Sequence, residues 1–208
     1  MNLEIIQKLK KKLSQPLPGM SAQIKLAPKS LEKELLSGKA LKNPRPSAVM
    51  IMLYPENGSI HFPVILRNVY NGAHSGQIGL PGGRCESCDL SKYDTAKRET
   101  LEEINVSSNE YEYIGALTPL FVLPSNFITH PFVSFSKSKP NFKPDPKEVQ
   151  EVITVDLLNE INSKKIICKQ LKTIRGMSQV PGFEIGEHFI WGATAMILGE
   201  LIDVIENG

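Results

Sequence analysis

Residues 76–106 read GQIGLPGGRCESCDLSKYDTAKRETLEEINV, and this stretch decides the fold of the 208-residue chain. Leu80-Pro81-Gly82-Gly83 ends a strand in a tight turn, because proline removes a backbone donor and glycine tolerates positive φ. From about Lys92 the apolar spacing becomes helical. At about 100° per residue, Tyr93, Ala96, Thr100, Leu101 and Ile104 share one broad face, and Glu99, Glu102 and Glu103 share another. Carboxylates at i, i+3 and i+4 converge on one patch of helix. They repel one another, a cost that a divalent cation removes, and an all-oxygen ligand set suits Mg²⁺ or Mn²⁺ rather than Zn²⁺. A helix carrying Arg98-Glu99-Thr100-Leu101-Glu102-Glu103 also fits a plain solvated charged face. The turn before it and the Asp89 between them therefore carry the argument.

Taken together these residues resemble the Nudix box: glycine, five residues, glutamate, seven residues, then R-E-U-x-E-E-x-G-U with U aliphatic. Gly83 takes the first position, and Arg98, Glu99, Glu102 and Glu103 match the core. One extra residue separates Gly83 from Arg98, and Asp89 stands where the loop glutamate is expected. Thr100 replaces an aliphatic residue. Asn105 replaces the final glycine, and asparagine is the next-best residue for a left-handed helix end. Upstream, Ile65-Leu66-Arg67-Asn68, Gly72, Gly76 and Leu80-Pro81-Gly82-Gly83 resemble the signature of the coenzyme A pyrophosphatase subgroup. Arg67, Gly76 and the PGG keep its spacing; Asn68, Gly72 and Leu80 replace Ser, Arg and Phe. Phe189-Ile190-Trp191-Gly192-Ala193-Thr194-Ala195 looks like the subgroup's C-terminal signature, and packing explains most of it. The resemblance covers residues 48–205. It implies an α/β fold, a Nudix-type α/β/α sandwich on a mixed β-sheet, with the box helix on one sheet face and the C-terminal helix on the other.

The implied activity is divalent-metal-dependent hydrolysis of the diphosphate of coenzyme A, or of an acyl-CoA, to 3′,5′-ADP and 4′-phosphopantetheine. A second reading keeps the chemistry and changes the substrate to ADP-ribose or NADH, which Gly72 favours by removing a cation. A third is a non-catalytic Nudix-fold binding protein, against which the intact Arg98-Glu99 and Glu102-Glu103 argue. A carboxylate-held ion would neutralise charge on the phosphoryl oxygens and orient the water. The expected ligands are Glu99, Glu102 and Glu103, with Glu102, Glu103 and Arg98 as the catalytic group. Arg98 is expected to brace the box against Asp89 or Glu86. Arg67 is the candidate for a substrate phosphate, and the Gly82-Gly83 backbone for close approach to the ligand. The general base is open among Glu148, Glu151 and a box glutamate. His74 reads as an exposed loop histidine.

Composition adds bounds. Hydrophobic residues make up 41%, enough for a substantial core, and the net charge of +2 gives no field that argues for nucleic acid. The longest apolar run, residues 48–54, is far short of a membrane span. No signal-peptide pattern opens the chain, so the expected location is cytoplasmic. Cys85, Cys88 and Cys168 are too few for a disulfide framework. Cys85-x-x-Cys88 lacks the further soft ligands of a zinc site and reads as incidental loop thiols, with a redox switch as the alternative.

Residues 1–46 are expected to form an N-terminal helix and wrapping arm, and residues 47–208 the Nudix domain. Ile5, Ile6, Leu9 and Leu13 make an apolar stripe on a helix over residues 2–13, expected to dock on its own domain or on a homodimer partner. Residues 17–46 show little periodicity beyond a helical turn at residues 31–36. Strands are expected at 48–54, 60–67, 129–136, 149–155, 164–173 and 182–191, with a strand pair or one long bent strand at 111–122. Helices are expected at 156–162 and 192–205, and residues 176–181 read as an insertion between strands.

Overall fold

The computed structural model of the chain describes residues 2–37, 43–69, 74–173 and 175–207. Two strands form the frame: β1 (Arg45–Glu56) and β2 (Ser59–Arg67), joined by a hairpin at Asn57-Gly58 where both residues have positive φ. The mixed sheet built on them holds six more strands: β3 (Ile78–Gly79), β4 (Gly82–Arg84), β5 (Glu112–Ala116), β6 (Leu120–Val122), β7 (Phe127–Phe135) and β8 (Val149–Asp156). β1 runs parallel to β7 from Arg45↔Phe127 to Leu53↔Phe135, while β8 pairs antiparallel with β2. β9 (Ile167–Thr173), β10 (Gly176–Ile185) and β11 (His188–Trp191) form a second, antiparallel sheet.

β1 is buried on both faces, so its apolar run divides by alternation. Ala48, Met50 and Met52 join Ala96 and Ile104 of the box helix α4 (Lys92–Ile104). Ile51 and Leu53 join Met196, Ile197 and Leu201 of the C-terminal helix α5 (Gly192–Asn207). The two helices thus cover opposite faces, as the sandwich requires.

The N-terminal helix α1 (Asn2–Leu13) buries Ile6, Leu9 and Leu13 in the same cluster as α5. The stripe is therefore satisfied within the chain. Leu13 lies over Gly115, where an added Cβ would stand 2.6 Å from the Leu13 Cβ. Lys12, at the end of this helix, donates to the carbonyl of Ile205 at 2.9 Å.

Three expectations change. The arm carries more helix than its weak periodicity suggests: α2 (Met20–Gln23) and a 3₁₀ turn over Ile24–Leu26 precede α3 (Lys29–Leu36), which takes in the turn expected at residues 31–36. Residues 156–162 form a turn rather than a helix, because the Asp156 carboxylate accepts from the amides of Leu158 and Asn159 and from the Asn159 side chain. Residues 176–181 are the first half of β10. Met177 and Gln179 are exposed and Ser178 and Val180 buried, a period of two that the flanking Gly and Pro conceal. No described helix is long and apolar enough to cross a membrane.

Candidate active site

The turn at Pro81 sets the geometry. The Pro81 carbonyl accepts from the Met50 amide at 2.8 Å, pinning the turn to β1. Gly82 has φ 149°, and an added Cβ would lie 2.3 Å from the carbonyl oxygen of Ala48. At Gly83 a Cβ would lie 2.5 Å from Oε1 of Glu99. Sequence reading assigned the glycines to close approach of a ligand. Their backbone is also close to β1 and to the helix carboxylates, and the Gly82 amide donates to Oε2 of Glu103 at 2.8 Å.

α4 begins at Ser91, whose hydroxyl accepts from the Asp94 amide, and ends at Asn105 with φ 55°, the left-handed end expected of asparagine there. Its buried face is Thr95, Ala96, Thr100, Glu103 and Ile104. Glu103 thus lies on the core face, and Leu101 stands 47% exposed on the outside. The reason is angular: seven residues turn a helix through about 700°, which returns position 103 to within about 20° of Ala96.

Arg98 braces the box. It donates to Asp89 Oδ1 at 3.1 Å, Asp89 Oδ2 at 3.2 Å, Glu99 Oε1 at 2.9 Å, Glu102 Oε2 at 2.8 Å and the Arg84 carbonyl at 3.0 Å. Asp89 replaces the longer glutamate and still spans loop and helix, accepting also from the Glu86 amide and the Thr95 hydroxyl. The Arg98 hydrogen bonds hold its carboxyl down at about 2 and push the guanidinium still higher.

Glu99, Glu103 and Glu148 each bring a carboxylate oxygen within 4.8 Å of the others. Burial, opposed by Arg67 and the Gly82 amide, pushes Glu103 up to about 7; burial likewise raises Glu99. Glu102 is not in this group: its side chain is half exposed and paired with Arg98. Arg67 donates to Glu103 Oε1 at 3.0 Å and to the Gly82 carbonyl at 2.9 Å, so its guanidinium is engaged with the box. Glu151 lies apart, 3.6 Å from His188 Nε2.

A cleft of about 490 Å³ opens beside Gly82, Gly83 and Arg67, which border it, with Ser47, Thr129 and Trp191 among its other walls. Two sequence-silent cations line it. Arg45 lies 4.2 Å over the Phe127 ring and donates to the Ser125 carbonyl. The side chain of Arg84, opposite Ser47 in the β1–β4 register, has no partner among the described residues. His74 is not a free loop residue: with φ 69° it turns inward to Gln77 Oε1 at 3.1 Å and Ser125 Oγ at 3.2 Å, and burial lowers its pKa. Gly72 lies outside the described residues. The cysteines are free; Cys88 is exposed, and none joins a group able to hold a metal among the described residues.

Residues 44–170 match the family model for the NUDIX domain. The chain belongs to the Nudix family. Its members are hydrolases of diphosphate bonds, generally dependent on divalent metals. An uncharacterized Nudix hydrolase, NudL, of Salmonella paratyphi B is 30% identical over 162 residues, covering 76% of this chain and 82% of that protein. The human mitochondrial coenzyme A diphosphatase NUDT8 is 26% identical over 184 residues, 85% of this chain and 77% of its own. A MutT/nudix family protein from Enterococcus faecalis shares the fold, with TM-score 0.52 at 13% identity over 78% of this chain and 62% of that one. In this Nudix chain the residue that sequence spacing could not select was Glu148. It lies 45 positions beyond Glu103 and reaches the box because the amides of Lys143 and Asp145 bond back to the carbonyls of Ile104 and Glu103. Its partner amide, that of Asn68, ties the same loop to the end of β2.

Proposed function

We propose that this chain hydrolyses the diphosphate of coenzyme A or its thioesters, releasing 3′,5′-ADP and the 4′-phosphopantetheine half, with Mg²⁺ or Mn²⁺ held by Glu99, Glu103 and Glu148. The observation that carries the hydrolytic reading is the trio of carboxylates meeting within 4.8 Å behind Gly82-Gly83 at the cleft edge. The residues fit such an ion. All three donors are oxygens, and the burial that raises Glu99 and Glu103 is a cost that a bound cation reverses. When bound, the ion supplies charge neutralisation at the phosphoryl oxygens and a more acidic water.

The chain's own residues divide the remaining work. Arg98 holds Glu99 and Glu102 in place and does not reach the cleft. Arg67 orients Glu103. Glu148 is exposed, and a carboxylate there is accessible both to the ion and to a water; Glu102, held by Arg98, lies one turn away as a further acid–base group. Arg84, in a cleft that Arg45 also lines, takes the substrate phosphate that Arg67, already engaged, is poorly placed to take. The coenzyme A reading is supported by the Arg67-to-Gly83 spacing and by the likeness to the human coenzyme A diphosphatase. ADP-ribose or NADH is the second reading, favoured by Gly72.

The test is kcat/KM for coenzyme A, dephospho-coenzyme A, ADP-ribose and NADH on the parent and on Arg84→Ala. A charge-assisted contact to the extra phosphate contributes about 1.5–3 kcal/mol, roughly 10- to 150-fold. We expect coenzyme A to lead, and Arg84→Ala to erase its advantage over the dephospho form. Faster cleavage of ADP-ribose or NADH than of coenzyme A overturns the substrate.

A further inference from the structure

We propose that the N-terminal arm walls off an apolar annex beside the catalytic cleft, and that this annex selects diphosphate substrates by binding a hydrocarbon tail. The inference takes from the preceding reading only that the diphosphate lies near Gly82-Gly83. A second cavity, of about 340 Å³, adjoins the cleft, and His74, Gln77, Val122, Pro124, Trp191 and Ala193 border both. Both volumes fall within the roughly 300–1,000 Å³ of ligand sites. Their linings differ in kind. The cleft carries Arg45, Arg67 and Arg84, whereas the annex is closed by Pro28, Leu31 and Leu35 of the arm, Leu120 and Leu123 before β7, and Met196 of α5. Among the described residues bordering it, Lys172 is the one formally charged side chain.

Pro28, Leu31 and Leu35 precede residues 44–170, and Trp191 and Met196 follow them, so most of the annex is built outside the family-matched segment. It is also firmly placed. α2 is fastened to α5 by the fully buried Glu200, which accepts from the Gly19 amide at 3.0 Å, Gln23 Nε2 at 2.9 Å and the Thr118 amide at 3.1 Å. Gly199 lets Leu26 sit against α5, since a Cβ there would be 2.5 Å from Leu26 Cδ1. The Ser30 amide, at the start of α3, donates to Ser178 Oγ of β10. An apolar cavity held open by such a wall favours ligand atoms that lose nothing by leaving water. Its polar side chains are few, His74, Gln77, Lys172 and Thr173, and His74 and Gln77 already bond to each other, so a sugar tail would leave part of its hydroxyls unpaired and is disfavoured relative to a hydrocarbon.

Adenosine diphosphate esters of straight-chain alcohols, ethyl to decyl, test the annex independently of coenzyme A. kcat/KM should rise roughly three- to fourfold per methylene until the annex is full. Leu31→Asn and the milder Leu35→Gln, the latter at a half-buried position, should lower the decyl-to-ethyl ratio about tenfold or more. The chain has one tryptophan, Trp191, at the border of both cavities. Its emission should shift to the blue with the methylene-bridged decyl analogue and not with ADP-ribose, a readout that needs no turnover. A decyl-to-ethyl ratio near one in the parent, or a ratio that both variants keep, overturns the annex. Preference for ADP-ribose over coenzyme A with a steep alkyl series would instead sink the coenzyme A reading and leave the annex standing.

Discussion

The box and the arm are held in opposite ways. In the box, partners lie close in sequence: Arg98 reaches Asp89, Glu99 and Glu102, and Glu103 reaches Gly82. In the arm, Gly19 and Gln23 find their partner in Glu200, at the far end of the chain. Local charge pairs on a helix and its preceding turn leave little freedom, because moving one group unpairs several others. A long-range clamp fixes where a segment sits and leaves the composition of its outward wall open. The chemistry is thus set by a rigid local unit, and the shape of what is processed by an element attached from a distance.

The contrast is broken most severely at Glu103. Glu103→Gln should keep the fold, because burial already disfavours the charged form, yet lower turnover on the order of 10²-fold or more. Near-normal turnover in a folded Glu103→Gln protein removes Glu103 from the site. Next comes the clamp. Glu200→Ala strips the acceptor from the buried Gly19 amide, the part-buried Thr118 amide and the Gln23 side chain, at a cost of about 2 kcal/mol or more. We expect a lower urea midpoint and faster proteolysis within residues 19–36, with hydrolysis of short-tailed diphosphates retained; an arm no easier to cleave would show that apolar packing alone holds it.

Smaller effects sharpen the picture of the box. Asp89 has its carboxyl lowered from 3.8 to about 2, chiefly by Arg98. A lowered carboxyl stabilises the fold above its unfolded value and loses that share as pH falls through the folded one. Between pH 3.8 and 2 the parent's unfolding midpoint should therefore drop more steeply than that of Asp89→Asn. Parallel curves for the two proteins would detach Asp89 from stability. The smallest effect is expected at the thiols: Cys85→Ser/Cys88→Ser should match the parent in activity and zinc content. Inactivation of the parent by oxidant, with the double variant spared, would establish a redox role instead.

What could be read from sequence follows the same division. The strand–turn–helix order, the Asn105 helix end and the Arg98–Asp89 brace depend on residues within one or two turns of each other, and periodicity and turn chemistry report such neighbours. The uninterrupted apolar run in β1 marked a buried strand, and the resemblance to the Nudix box implied which helix covers each of its faces. Glu148 was legible only as one of three candidates for the general base and not as a metal ligand, because a proline-containing loop returns it to the box through backbone bonds, which no side-chain pattern encodes. Arg67 kept its spacing, but its engagement with Glu103 depends on how β2 lies against the helix, which is tertiary. Arg84 escaped because one strand-end arginine has no periodicity, and α2 because a single turn held by packing carries no amphipathic repeat, whereas the turn expected at residues 31–36 is found as α3.

The parallel pairing of β1 with β7 also bears on how the molecule assembles. On one flank of the central strand, the nine residues Arg45 to Leu53 find their neighbours at Phe127 to Phe135, some 82 positions later. Contacts so distant close late and slow the search for the native topology. During synthesis, a chain that has emerged only as far as α4 exposes one flank of its most apolar strand, and an unpaired edge of that kind recruits other chains. The docking of β7 is therefore the step we expect to be slow, and truncation before Phe127 should yield aggregate rather than a smaller folded unit.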